Sequence, residues 1–66
     1  MNHTITLPLK VGTYVSAMAE IQEISLALDV PVYLFRANEG YYVIDTVSEV
    51  YSNEKLIIKL FKGERQ

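Results

Sequence analysis

The chain has no cysteine and no tryptophan, and only three glycines, two prolines and one histidine in 66 residues. Without cysteine it has neither a disulfide framework nor a thiolate zinc site, the staples on which domains this small often depend. Its core, or an interface with another chain, must hold it together. The same absence fits a reducing compartment, and a cytoplasmic location is expected. Sparse glycine weighs against a phosphate-cradling loop: Lys10-Val11-Gly12-Thr13 stands before a helix but lacks the P-loop spacing, and a plain connector with a helix cap accounts for every residue. Long apolar runs are missing too. Val30 to Phe35 is among the longest, far below the ~20 residues that span a bilayer, and Met1-Asn2-His3-Thr4 carries no basic region of a secretory signal. Neither a membrane segment nor a signal peptide is expected.

No sign of charge dominates. The net charge is −2; residues 1–30 set Lys10 against Glu20, Glu23 and Asp29, and residues 31–66 balance five basic with five acidic side chains. Phosphate-backbone binders concentrate Lys and Arg on one surface, so nucleic acid is a disfavoured partner. His3, near a terminus, has no second imidazole with which to ligate a metal and no fixed general-base geometry. Asp29 falls at a helix end and Asp45 in a strand, and nothing in the pattern predicts that they meet. The chain is therefore read as non-enzymatic, with no catalytic residue, metal, cofactor or small-molecule substrate.

What is present is apolar. Half of the residues are hydrophobic and 21% are charged, the balance of a compact fold and not of a disordered chain. No linker or repeat divides residues 1–66, so one domain is expected, and a chain of this length buries only roughly 60% of its unfolded surface.

Thr4 to Leu9 alternates apolar and polar positions and reads as a strand, with Pro8 placing it at a sheet edge. From Tyr14 to Leu28, Ala17, Met18, Ile21, Ile24 and Leu28 recur at helical spacing, and Asp29-Val30-Pro31 ends the helix because proline cannot continue the backbone ladder. Val32 to Ala37 and Tyr41 to Thr46 form a hairpin around Asn38-Glu39-Gly40. Lys55 to Phe61 is a last strand, Val47 to Tyr51 is open between strand and loop, and residues 62–66 read as a polar tail. The fold class is α+β in the order β-α-β-β-β, one helix on a mostly antiparallel four-stranded sheet, with the last three strands as a meander.

Both alternating faces of these strands are apolar, and one helix covers one face. With an even hairpin loop, Tyr33, Phe35, Tyr42 and Ile44 share one face and Val32, Leu34, Arg36, Tyr41, Val43 and Asp45 the other, where Arg36 and Asp45 could pair; a three-residue loop would exchange the Tyr41 to Asp45 partners between faces. In the last strand Ile57, Lys59 and Phe61 form the less buried side. Soluble monomers rarely expose large apolar patches. The expected interface is Val32, Leu34, Arg36, Tyr41, Val43, Asp45, Ile57 and Phe61, and the expected function is a small protein–protein interaction module, a homodimer by the prevalence of two-fold pairs, with an accessory or regulatory role of the kind common among short bacterial and phage proteins. The alternative is a single-stranded nucleic-acid binder that stacks bases on Tyr33, Phe35, Tyr41 and Tyr42, although the glycine and basic residues of such sheets are missing.

Overall fold

A computed structural model describes residues 5–8, 13–37, 41–50 and 53–66. The expected class holds: one helix packs on an antiparallel sheet. The elements are β1 (Ile5–Pro8), α1 (Thr13–Ala27), β2 (Val32–Ala37), β3 (Tyr41–Asp45), β4 (Glu54–Phe61) and a two-residue β5 (Glu64–Arg65). His3, Lys10 to Gly12 and the turn residues Asn38 to Gly40 lie outside the described residues.

The strand order is β1-β3-β2-β4-β5. This corrects the expected meander, because β4 pairs with β2 and not with β3. The hairpin between β2 and β3 is as expected, and the edge position of β1 agrees with its Pro8, which pairs opposite Tyr41. A second correction concerns the tail. Lys62 and Gly63 both have positive φ, 52° and 81°, the backbone of a tight two-residue hairpin turn, and they fold Glu64–Arg65 back beside Phe61 and Leu60.

The helix buries Ala17 and Ile21 against Val32, Leu34, Tyr42, Ile44, Ile58 and Leu60, with Met18, Ile24, Leu28 and Ile57 packed around them. Tyr14 adds a tilted ring contact with Tyr42, centroids 6.0 Å apart. Hairpin register decides this selection. Ala37 pairs with Tyr41, so the loop has three residues and Leu34 stands opposite Ile44 and Arg36 opposite Tyr42.

Strand order also decides what happens on the other face. Since β3 and β4 both run antiparallel to β2, they are parallel to each other, and the connection between them must pass across β2. It leaves β3 at the Tyr33 end of β2 and enters β4 at the Ala37 end. The eight positions between Asp45 and Glu54 can reach about 27 Å, enough to travel the length of the strand and two strand spacings. The helical connection from β1 to β2 crosses β3 in the same lateral direction, but on strands of opposite sense. The helix packs on the face that carries Leu34, Ile44 and Ile58; right-handed paths for both crossovers, as nearly all such connections follow, predict the β3–β4 connection on the other face. Burial fits that arrangement: Phe35 is 1% exposed, and Ala37 and Val43 are buried as well, yet none belongs to the cluster beneath the helix. Both sheet faces carry residues that are buried within the single chain.

Candidate functional site

The eight residues expected to share an interface are divided by the fold. Val32 and Leu34 are fully buried beneath α1. Arg36 shares their strand face but is exposed. Tyr41, Val43 and Asp45 are on the opposite face, where Val43 is buried and the other two are half-buried. Phe61 also faces away from the helix and is 36% exposed. Ile57 turns toward the helix side, because β4 carries a bulge: Leu34 pairs with Ile58 and Phe35 with Leu56, leaving Ile57 as the extra residue.

Three-residue loop geometry also separates Arg36 from Asp45. Arg36 pairs with Tyr42 and Asp45 with Tyr33, on opposite faces, so the cross-strand pair expected between them does not form. Asp45 instead closes its own turn, its Oδ1 accepting the Val47 N–H at 3.1 Å. Asp29 lies just beyond the C-terminal end of α1 and meets Lys62 Nζ at 2.6 Å. That hydrogen bond and the ammonium charge hold the Asp29 carboxyl below its ordinary value of 3.8; both partners are substantially exposed, so solvent screens the pair.

The aromatic residues do not form an open platform. Tyr33 and Phe35 stack with centroids 6.3 Å apart, and Lys59 Nζ lies 5.7 Å from the Tyr33 ring centroid. Phe35, however, is sealed in the interior, and Tyr42 belongs to the helix-side core, leaving Tyr33 and Tyr41 as the half-exposed rings on that face.

The Lys62–Gly63 turn is fastened to the helix. The Gly63 N–H donates to Ser25 Oγ at 3.0 Å, Ser25 Oγ donates to the Gln22 carbonyl at 2.9 Å, and Gln22 Nε2 donates to the Gly63 carbonyl at 3.1 Å. Ser25 is fully buried. A hydroxyl on the core side of a helix is costly unless both its donor and acceptor capacities are used, and here the turn uses the acceptor. Gly63 is required by space as well as by φ, since a Cβ there would stand 2.8 Å from Leu26 Cδ2 and from Gln22 Nε2.

Exposed apolar residues gather elsewhere. On α1, Val15 is 70% and Leu26 56% exposed; with the exposed Ala19 and Gln22 between them they form a 4-3-4 stripe along one flank. Because Gln22 and Leu26 meet Gly63, this flank is the one beside β4 and β5. On the same side of the molecule β4 is an incomplete edge. Its outer side pairs with β5 at Leu60 and Phe61 and receives the Gln66 N–H on the Lys59 carbonyl, and among the described residues nothing pairs with it from Glu54 to Ile58. Leu56, within that stretch, is 44% exposed and stands opposite Phe35, on the sheet face away from the helix. The sequence held the signal for the flank in the spacing of Val15, Ala19 and Leu26, but the inner stripe of the same helix is stronger and masks it.

Among the described residues, no group of three or more His, Asp or Glu side chains could hold a metal ion, and no helix is long and apolar enough to cross a membrane. No protein-family model, curated protein or solved structure matches the chain.

Proposed function

We propose that this chain is a small protein-binding module without chemistry of its own and that it acts as a homodimer. The observation that carries this reading is the stripe of Val15, Ala19 and Leu26 exposed on a helix whose other side already fills a closed core. Burial of such residues contributes about 25 cal/mol per Å², and in a domain with so thin a stability margin their exposure is a standing cost unless another surface meets them. Asp29 and Asp45, the carboxylates with the best claim to chemistry, are each engaged locally, one with Lys62 and one with its own turn. A binding role fits that distribution better than an acid–base site, which needs its groups to converge.

Light scattering behind size exclusion over a micromolar dilution series tests the reading. A mass of twice the chain, falling to one chain on dilution, is the expected result. A single-chain mass across the whole series removes the homodimer.

A further inference from the structure

We infer that residues 62–66 are a strap that opens as one unit while the rest of the domain stays folded, uncovering Ser25 and releasing the Leu60–Phe61 end of β4. The segment Lys62-Gly63-Glu64-Arg65-Gln66 contains no apolar residue, so its closure draws little on the hydrophobic effect. What holds it is polar and comes from two elements. On the helix side the Gly63 N–H donates to Ser25 Oγ and Gln22 Nε2 donates to the Gly63 carbonyl, with Lys62 on Asp29 just past the helix end. On the sheet side Leu60 pairs with Arg65, Phe61 pairs with Glu64, and the Gln66 N–H donates to the Lys59 carbonyl. Each of these bonds is exchanged for one to water when the strap lifts. The Lys62–Asp29 pair is screened, since the Asp29 side chain is 92% exposed, and the entropy of ordering the segment opposes closure. Lifting the strap therefore costs far less than separating α1 from β2, which would expose the apolar cluster between them.

The turn couples the two anchorages. Lys62 and Gly63 both hold positive φ, a backbone that lysine seldom takes unless its surroundings fix it. Losing the helix contacts relaxes this turn, and with it the alignment of Glu64 and Arg65 on β4. Closed, the strap fills the far end of an outer edge that, among the described residues, is unpaired from Glu54 to Ile58. Open, the unpaired run extends to Phe61, a length of edge that folded proteins avoid presenting. The Ser25 hydroxyl, fully buried in the closed form, then meets water. The strap is thus a latch that governs both the length of the β4 edge and access to one buried hydroxyl.

Hydrogen exchange followed by NMR tests the latch, with the Gly63 amide reporting on the helix anchorage and the Gln66 amide on the sheet anchorage. In the unaltered chain the two should be protected to the same degree, and less than the slowest amides of β2 and β3 by a factor of about 10 or more. Ile44→Val, in the core on β3, should speed those slowest amides by about 5-fold and leave Gly63 and Gln66 unchanged. Ser25→Ala should speed Gln66 by about 10-fold, although the Gln66 amide is bonded to β4 and not to the helix. Gln22→Ala, at an exposed position, should act in the same direction and keeps the test intact if the serine variant does not fold. A Gln66 amide indifferent to both helix substitutions would show two independent anchorages and overturn the unit. Strap amides that quicken together with the core in Ile44→Val would mean that the strap opens only when the whole domain unfolds. Unprotected Gly63 and Gln66 amides in the unaltered chain would mean that there is no closed strap to release.

Discussion

Phe35→Ala should unfold most of the protein at room temperature. Truncating a buried phenylalanine to alanine costs about 3–5 kcal/mol, and a core in a domain of this size rarely supplies more than about 3–5 kcal/mol in total. The prediction is specific to the topology. Phe35 lies on the sheet face away from the helix, stacked on Tyr33 and opposite Val43 and Leu56. If that face were open to solvent, the ring would contribute little to an isolated chain. Because the fold buries it, its loss should rank with that of Ile21 or Leu34 beneath the helix. Phe61→Ala, on the same face but partly exposed, should cost less than about 1 kcal/mol. Urea unfolding followed by circular dichroism distinguishes the two: equal midpoints for the Phe35 and Phe61 variants would contradict the arrangement.

Gly63→Ala carries the second large effect, about 2 kcal/mol. An L-residue at φ 81° is strained by roughly 1–2 kcal/mol, and the new methyl group would displace the ends of Leu26 and Gln22. Moving Gln22 breaks its hydrogen bond to the Gly63 carbonyl. Ser25→Ala attacks the same contact from the helix, leaving the Gly63 N–H without its described acceptor, and should cost about 1–3 kcal/mol. Since both substitutions disrupt one contact, the double variant should lose clearly less than the sum of the two. Additive losses would show that the turn is not fastened through Ser25.

Much of this fold is legible in the sequence. The helix is set by the spacing of Ala17, Ile21, Ile24 and Leu28 and stopped by Pro31; Val32 to Ala37 and Tyr41 to Asp45 are apolar and β-branched enough to be strands in any packing. Three features depend on details with weak local signals. The odd hairpin loop exchanges the faces of every β3 residue, and composition does not distinguish it from an even one. The bulge at Ile57 breaks alternation within Leu56-Ile57-Ile58, three apolar residues that would suit either face. The partner of β4 is settled by where β3 stops: with the strand ending at Asp45, the connection is too long for a tight hairpin and long enough to cross β2.

Those details move the candidate site. Two apolar sheet faces and a single helix imply that one face needs a partner, with Val32, Leu34 and Val43 upon it. The fold buries all three within one chain. Among the described residues, what it leaves exposed includes Val15 and Leu26 on the helix flank and Leu56 on β4, with Tyr14, Val30, Val50 and Phe61 elsewhere, residues that are individually ordinary in the sequence. Likewise Lys62-Gly63 reads as part of a polar tail until Ser25 is seen to accept its hydrogen bond. A serine on the core face of an otherwise apolar helix is the available signal for that contact.

Thiol reactivity at position 43 tests most directly whether the chain closes its own second face. The protein has no cysteine, so Val43→Cys introduces a single thiol, at a site 8% exposed and on the side of the sheet away from the helix. At concentrations dilute enough to ensure monomers, the folded variant should react with an aromatic disulfide reagent orders of magnitude more slowly than it does in urea, while the thiol of Ala19→Cys on the exposed helix flank reacts freely. A thiol at position 43 that reacts at the unfolded rate in the folded monomer would mean that this face is open, and the account of the fold and of its interface would be wrong.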